Sequence, residues 1–322
     1  MFHLNLQRAV FIFSFTSINM KVFQFMGYAK WWGFSKIGKK TSLINTTIIH
    51  FGCNLRCKHC NVVKETEFAH MKLSYDEIVS DMQKRFDEGA RIMYFEGGET
   101  TLWKDGDKTL GDLIAKSREI GYHNTGYTTN GTNTFYTNSD VIAVSLDGTK
   151  DVHNKIRGEG VFEKLFENLE NLEFDGAIYA NMVIQRDNLD NVVDTIEFIK
   201  SYPKIKGVMI NFITPPPNDI TINPEEKEKI VSQLLELKSK GYPILNSKKG
   251  LKYLAIEDWS EKCPTYMTNF LLPGGHVFKG CPMAGTDACK RCGFAAAREY
   301  HLVDKGDPST IAEISSLFAM SK

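Results

Sequence analysis

Apolar, strand-like segments and amphipathic, helix-like segments alternate along most of this chain, and this alternation restricts the fold more than any other feature. The predicted strands are Thr46–Phe51, Arg91–Glu96, His123–Thr129, Val141–Leu146, Ala177–Ile184 and Gly207–Ile213. The predicted helices are Ser74–Gly89, Thr109–Ile120, Val161–Leu172, Leu189–Lys200 and Pro224–Lys240. Ser74 and Glu77 form a capping box for the first helix, and Gly89 ends it. Repeated β/α units place parallel strands beneath an outer layer of helices, so we expect an α/β fold.

The character of the chain changes at both ends of this alternating region. We expect an N-terminal extension over residues 1–45, the alternating core over 46–241, and an appended domain over 242–322. The C-terminal part is expected to be irregular and contains the last four cysteines. Its core is too small to be stable without a metal.

The N-terminal extension has two features of its own. Arg8 followed by Ala9–Phe15 faintly resembles a signal peptide, but the apolar run is short and lacks a cleavage site, so Met20 is an alternative start. Residues 28–40 combine aromatic and basic side chains, which can make weak contact with a membrane surface. The favoured interpretation is a helix that packs its aromatic side chains on the main domain.

Charge and cysteine content exclude several classes of protein. The 322 residues include 39 Lys+Arg and 39 Asp+Glu, a balance that gives no indication of a nucleic-acid partner. Seven cysteines cannot all form disulfides. They cluster within residues 53–60 and 263–292, which indicates metal ligation and therefore a reducing compartment, the cytoplasm.

The first cysteine group follows the first predicted strand directly. Cys53, Cys57 and Cys60 have the spacing C-x3-C-x2-C. Three thiolates can hold three irons of a [4Fe–4S] cluster and leave the fourth iron open to a substrate. A zinc site would need a fourth ligand. His59 is available, but its position next to Cys60 strains tetrahedral ligation by both, and the cluster is favoured.

This spacing resembles the signature of the radical S-adenosylmethionine (SAM) superfamily. The resemblance implies a partial (β/α)6 barrel of the TIM type with a small irregular C-terminal iron–sulfur domain. It also implies that the open iron chelates SAM, that reduction cleaves SAM, and that a 5′-deoxyadenosyl radical forms. The implied partners are SAM, an electron donor such as a ferredoxin or flavodoxin, and an unidentified substrate. His59 stands where the family often has a larger aromatic residue.

Two further motifs fit this resemblance at the ends of the second and third predicted strands. Gly97, Gly98 and Glu99 resemble the family's GGE motif, which binds the methionine amino group of SAM. Glycines let a ligand approach the backbone, and a carboxylate accepts hydrogen bonds from an ammonium group. Thr100 replaces the proline that often follows. Asn130 resembles part of the family's T-N-G segment, although an ordinary Asn-Gly turn is an alternative.

The fourth predicted strand leads into the pattern S-L-D-G…H-x3-R of one large subgroup of the family. The resemblance assigns SAM contacts to Ser145 and Arg157, with Arg157 paired to the methionine carboxylate. Asp147 is a candidate SAM-binding residue, but Asp147 and His153 are equally well explained as turn and capping residues.

The remaining cysteines form the second group. Cys263, Cys281, Cys289 and Cys292 can ligate a second [4Fe–4S] cluster or a structural zinc. The group resembles the auxiliary-cluster (SPASM) domains appended to many radical SAM enzymes, in the shorter "twitch" form with one cluster. We therefore favour iron over zinc.

Two other classes of protein compete with a radical SAM enzyme. One is a structural or interaction protein that binds zinc and lacks SAM chemistry, and the other is a two-cluster electron carrier. Catalytic sites of β/α barrels lie at the C-terminal ends of strands, where each motif above falls, so an enzyme is favoured. No peptide-recognition domain is evident before residue 46, which favours a small molecule or lipid substrate over a peptide.

Overall fold

The computed structural model describes residues 26–38, 40–60, 70–214 and 219–320, with side chains described up to residue 315. The features noted at Arg8, Ala9–Phe15 and Met20 lie outside these ranges. None of the helices in the described ranges is both long and apolar enough to cross a membrane.

The strands of the described residues form one large sheet and one short hairpin. The strands are β1 (Ile44–Ile48), β2 (Ile92–Glu96), β3 (Lys104–Asp105), β4 (Lys108–Thr109), β5 (Asn124–Thr129), β6 (Val141–Ser145), β7 (Ala177–Ile184), β8 (Ile205–Phe212), β9 (Thr268–Leu272) and β10 (His276–Lys279). The large sheet has the order β10-β9-β1-β2-β5-β6-β7-β8, and β3 pairs with β4. From β1 to β8 the sheet is parallel. The six predicted strands and their parallel arrangement are therefore confirmed.

Helices follow most of the parallel strands. They are α1 (residues 26–36), α2 (Tyr75–Glu88), α3 (Leu110–Ile120), α4 (Lys150–Arg157), α5 (Val161–Glu170), α6 (Val192–Ser201), α7 (Pro224–Ser239), α8 (Lys248–Leu254), α9 (Ala295–Asp304) and α10 (Pro308–Met320). The predicted capping box of Ser74 and Glu77 is present at the start of α2, and Gly89 caps its end. Helix α4 was not predicted, because its eight residues include few apolar side chains.

The two faces of the parallel sheet have different environments. On β7, Ile178, Ala180 and Met182 belong to the hydrophobic core between the sheet and the helices. Tyr179 and Asn181 alternate with them and are half-buried on the opposite face. That opposite face is the interior of the partial barrel, and polar side chains line it at the ends of several strands.

The C-terminal part of the chain contains more regular structure than the sequence indicates. Strand β9 pairs in parallel with β1, and β10 pairs antiparallel with β9, so both strands extend the main sheet. At the other edge, Phe212 of β8 donates a backbone hydrogen bond to Gly293 O over 2.9 Å. The Glu299 carboxylate on α9 accepts hydrogen bonds from Ser247, the N-terminal cap of α8. Helix α9 is thus fixed to both β8 and α8.

Helix α1 packs its aromatic residues on the main domain, as the favoured interpretation predicts. Trp31 is buried and donates to Thr41 O over 2.8 Å, and the Tyr28 hydroxyl donates to Asn124 Oδ1 over 2.7 Å. Trp32 donates to Val303 O over 3.0 Å, so α1 also contacts α9. Contact of this helix with a membrane surface stays a prediction.

Candidate active site

The cysteine loop, residues 53–60, is positioned by close backbone contact with the end of β2. Gly98 N donates to His50 O over 2.9 Å, and Glu99 N donates to Gly52 O over 2.8 Å. A Cβ atom on Gly98 would lie 2.1 Å from Gly52 O, and one on Gly97 would lie 2.6 Å from His50 O. Both glycines are therefore required by the packing of two backbone segments. The close approach that the sequence predicts for a ligand is made here by the chain itself.

The structure brings the three cysteines of this loop together. The thiols of Cys53, Cys57 and Cys60 lie close enough to influence one another's charge. Burial raises the pKa of Cys53 to about 11, and burial also raises that of Cys57, against the opposing effect of Arg157. These thiols therefore keep their protons at neutral pH unless a cation replaces them. Bound iron is such a cation, since it deprotonates its thiol ligands.

The donor set of this loop fits an iron–sulfur cluster. Within the described ranges, no three His, Cys, Asp or Glu side chains are placed to hold a single metal ion. A cluster is bound differently, with one thiolate at each of three irons. Cys57 and Cys60 also line a cavity of about 510 Å³ beside the loop. The other residues that line it are Arg56, Lys58, Asp187, Asp219 and Ile220.

The carboxylate of Glu99 is buried and joins the ends of β2 and β5. Its Oε1 accepts hydrogen bonds from Thr101 N at 3.2 Å, Thr101 Oγ1 at 2.7 Å and Thr129 Oγ1 at 2.6 Å. Its Oε2 accepts one from Asn130 N at 2.6 Å. Sequence reasoning missed Thr101, because nothing in its spacing marks it. Thr129 is the threonine of the T-N-G segment, but its hydrogen bond to Glu99 was not predicted. The assignment of Glu99 to the SAM amino group stays a prediction.

Asn130 lies beside the cysteine loop, and its assignment to SAM binding stays a prediction. Its Nδ2 donates to Asn54 Oδ1 over 2.9 Å and lies 4.0 Å from Cys53 Sγ. Its Oδ1 accepts hydrogen bonds from Thr132, so the turn after β5 is also held by this side chain. Asn130 therefore connects the end of β5 to the first cysteine.

Asp147 and Arg157 form a buried ion pair next to this loop. Arg157 Nε donates to Asp147 Oδ2 over 2.6 Å, and Val183 N donates to Asp147 Oδ1 over 2.9 Å. The backbone N–H of Asp147 donates to His153 Nδ1 over 3.2 Å. Burial and Arg157 lower the pKa of His153 to about 3, so its ring is a neutral acceptor. His153 therefore stabilises the turn after β6, as one of the two sequence interpretations predicts, whereas Asp147 also pairs with Arg157 beside the cysteine loop.

The positively charged guanidinium of this pair lies next to the second cysteine of the loop. Arg157 Nη1 lies 3.9 Å from Cys57 Sγ, and His59 Nε2 lies 3.8 Å from Asp147 Oδ2. Burial acts against the charge of Arg157, but Asp147 and Cys57 outweigh it and raise the pKa of the guanidinium. Burial likewise tends to raise the pKa of Asp147, and Arg157 and His59 more than offset it, so that pKa is lowered. Arg157 thus supplies a fixed positive charge beside the cysteine loop, and its contact with SAM stays a prediction.

Ser145 ends β6 on the interior side of the sheet. It is in register with Asn181 of β7, whose Oδ1 accepts a hydrogen bond from Asn211 Nδ2 over 2.8 Å. Asn211 Oδ1 accepts from Ala295 N over 2.8 Å at the start of α9. The two asparagines therefore have structural partners, and the SAM contact assigned to Ser145 stays a prediction.

The four C-terminal cysteines also converge. The thiol of Cys263 interacts electrostatically with those of Cys281, Cys289 and Cys292. Burial raises the pKa of Cys263 to about 11. Arg298 is fully buried and donates to Cys292 O over 2.7 Å, which fixes the end of this group to α9. No three of these thiols, all of which the structure describes, are placed to hold a single metal ion, so their arrangement suits a cluster, in which each iron takes one thiolate, better than a zinc ion.

Comparison with known proteins identifies a family whose model matches part of the chain. Residues 47–199 match the family model described as "Radical SAM superfamily". Fold and site thus define an α/β protein with a cysteine loop at the C-terminal edge of a parallel sheet. The part of the chain that matches, residues 47–199, is a radical SAM domain.

Curated relatives match part of the chain. A cysteine-type anaerobic sulfatase-maturating enzyme of Clostridium novyi is 29% identical, over 58% of this chain and 56% of its own length. An Fe-coproporphyrin III synthase of Methanosarcina barkeri is 30% identical over 44% of this chain and 36% of its length. A GTP 3′,8-cyclase of Aliarcobacter butzleri is 26% identical over 55% and 56%. The chain thus spans between about a third and just over half of the length of these relatives.

Solved structures share the fold at lower sequence identity. Native anSMEcpe with bound AdoMet superimposes with a TM-score of 0.58 at 17% identity, over 84% of this chain and 82% of that one. Streptococcus suis SuiB bound to S-adenosylmethionine superimposes with a TM-score of 0.58 at 14% identity, over 86% and 68%. These likenesses confirm the partial-barrel architecture.

Replacing Gly98 with alanine tests the backbone contact. Its Cβ would meet backbone oxygen that cannot rotate away, so we expect Gly98→Ala to lower the free energy of unfolding by about 1–3 kcal/mol. Urea denaturation measures this difference. Gly33→Ala is the matched control, because nothing lies within 4 Å of its new Cβ, and it should cause no loss. Equal stability of both variants would contradict the proposed packing.

Replacing Asp147 with asparagine tests the buried pair. Asp147→Asn leaves the Arg157 charge buried without its partner and should destabilise the protein by about 3–5 kcal/mol at pH 7. The folded pKa of Asp147 is lowered from 3.8, so its stabilising effect is present above that pH and is lost as pH falls through the folded pKa. As the pH is lowered through this range, the free energy of unfolding, measured by denaturation, should decrease for the wild type and change little for the variant. Asp76→Asn, at an exposed position, should stay within about 0.5 kcal/mol.

Proposed function

We propose that this protein is a radical SAM enzyme that reductively cleaves SAM at a [4Fe–4S] cluster and uses the 5′-deoxyadenosyl radical on a second substrate. Cys53, Cys57 and Cys60 would hold the cluster. The observation that carries the proposal is the meeting of the cysteine loop with the ends of β2, β5 and β6 at one edge of a parallel sheet. Active sites of β/α barrels form at this edge.

The residues around the loop have distinct parts in this proposal. A cluster held by Cys53, Cys57 and Cys60 would, once reduced by the electron donor, supply the electron for SAM cleavage. Glu99 and Asn130 place a carboxylate and an amide beside Cys53, where the ammonium end of SAM can bind. Arg157 offers its remaining N–H groups to the carboxylate of SAM, while Asp147 holds the guanidinium in place. The buried position of the pair keeps this charge from being screened by water.

The second cysteine group would hold a second [4Fe–4S] cluster. Cys263, Cys281, Cys289 and Cys292 supply four thiolates, a full ligand set for such a cluster. Their closeness to α9 and β9, which join the main sheet, gives the group a fixed position relative to the barrel. In this position the second cluster could transfer electrons or anchor the C-terminal part of the chain. The electron donor would be a ferredoxin or flavodoxin in the cytoplasm.

The substrate is proposed to be a small molecule or lipid in preference to a peptide. The names of the relatives span a sulfatase-maturating enzyme, a porphyrin synthase and a GTP cyclase, so the shared domain serves chemically different substrates. The zinc-binding alternative predicts colourless protein and no SAM cleavage, so the colour of the protein and its activity on SAM distinguish the two functions.

Anaerobic reconstitution tests the SAM chemistry directly. Wild-type protein loaded with iron and sulfide and then reduced should convert SAM to 5′-deoxyadenosine, quantified by chromatography. The triple variant Cys53→Ala, Cys57→Ala, Cys60→Ala removes all protein ligands of the cluster and should reduce the rate to background. Cleavage that persists in the triple variant would refute the assignment.

Iron content tests the second cysteine group. Two [4Fe–4S] clusters require about eight irons per chain, and each cysteine group should account for about four. We expect Cys289→Ala, Cys292→Ala to lose about four irons, and the triple variant of the first group to lose the other four. If the wild-type protein instead contains one equivalent of zinc and about four irons per chain, the second group binds zinc.

A further inference from the structure

Glu96 is the last residue of β2, and its side chain lies on the interior side of the partial barrel. Met93 and Phe95 are fully buried in the hydrophobic core on the outer side of this strand. Because successive side chains of a strand point to opposite faces, Tyr94 and Glu96 share the interior side, where both are half-buried. The carboxyl group of Glu96 therefore faces the enclosed space, directly before the glycines that contact the cysteine loop.

The carboxyl group of Glu96 has no hydrogen-bond donor or cation in contact with it among the residues that the structure describes. Glu99, three positions later, accepts four hydrogen bonds on its own carboxylate. Burial alone raises the pKa of Glu96 to about 7. A half-buried carboxyl group without a protein partner is stabilised less than it would be in open water. Sites that reduce stability in this way are typical of ligand binding, where the missing partner comes from the ligand.

Two tyrosines share this space with Glu96. The negative charge of Glu96 contributes to raising the pKa of the phenol groups of Tyr94 on β2 and Tyr300 on α9. Burial raises the pKa of both phenols, so both are neutral at physiological pH. The Tyr94 hydroxyl forms a 3.1 Å hydrogen bond with Thr128 Oγ1 on β5, which orients its ring. The space thus combines one acidic group with two aromatic rings.

Glu96 also lies between the two cysteine groups. Its charge acts on the thiol of Cys281 in the second group. Glu99, at the other end of the same short segment, acts on the thiol of Cys53 in the first group. A ligand that contacts Glu96 is therefore held inside the barrel, next to the edge where SAM is proposed to bind.

We propose that Glu96, together with Tyr94 and Tyr300, binds a basic nitrogen of the substrate, an ammonium or amidinium group. This inference rests on the proposed radical SAM function, because it names part of the molecule on which the radical acts. A cation supplies the partner that the carboxyl group lacks, and the pairing is stronger in this half-buried position than it would be in open water. Tyrosine rings add attraction for a cation. A neutral group could donate a hydrogen bond to the carboxylate but would leave its charge without a counter-ion.

Calorimetric titration of the reconstituted holoenzyme with two probes tests this site. The probes are 2-phenylethylamine and 2-phenylethanol, which have similar size and differ in charge. We expect the wild type to bind the amine at least tenfold more tightly than the alcohol. Glu96→Gln keeps the shape of the side chain and should bind the two probes equally. Glu119→Gln, exposed on α3, is the matched control and should keep the preference.

Two further measurements separate this site from a structural role and from the proposed function. Glu96→Gln should unfold at a temperature no lower than the wild type, because it loses no contact; a clear decrease would overturn the binding role. The control Glu119→Gln should form 5′-deoxyadenosine from SAM at the wild-type rate, which tests the proposed function separately from the amine preference. A wild type that does not distinguish the probes, or a variant that still prefers the amine, overturns the site. If Glu96→Gln abolishes the preference for the amine but the wild type does not cleave SAM, the binding site is supported and the proposed radical SAM function is refuted.

Discussion

The buried carboxylate of Glu99 is the interaction on which the cysteine end of the barrel depends. Through it, the ends of β2 and β5 share one side chain that accepts four hydrogen bonds. Hydrogen bonds to an ionised acceptor are among the strongest in proteins, and their loss would leave several donors buried without partners. The glycines before Glu99 hold the same strand end against the cysteine loop, and Asn130 reaches that loop from β5. The three cysteines are therefore positioned by neighbouring strand ends, since the loop that carries them has no helix or strand of its own.

Much of the core fold could be predicted because its strands and helices are long and strongly periodic. Ala177–Ile184 agrees with β7 at both ends, and the other predicted strands differ at their ends. Helix α4 escaped prediction because it is short and flanked by glycines. Strands β9 and β10 escaped because their pairing partner lies far away in the chain, and all four residues of β10 are exposed, so no burial pattern marks them. Periodicity detects a local element and carries no information on which distant strand it will join.

In the candidate site, too, local sequence patterns could be predicted and contacts between distant residues could not. The cysteine spacing and the GGE motif are short local patterns, and the structure brings Cys53, Cys57, Cys60 and Glu99 into one region as the sequence predicts. The partners of these residues could not be predicted, because each depends on contacts between distant elements. Thr129 and the counter-ion role of Asp147 are examples. The glycines were predicted from the needs of a ligand, whereas the structure shows that another stretch of backbone also demands them. One motif thus meets a folding requirement and a proposed binding requirement together.

The pairing of β1 with β9 has a consequence for how the protein is made. Thr46 and Thr268 form a cross-strand contact although they are 222 positions apart in the chain. Strand β1 is synthesised early, and the ribosome must complete nearly the whole barrel before β9 emerges. Until then one edge of β1 has unpaired backbone groups and can associate with other chains. A nascent chain therefore needs protection of this edge, and a protein truncated before β9 would keep it exposed permanently.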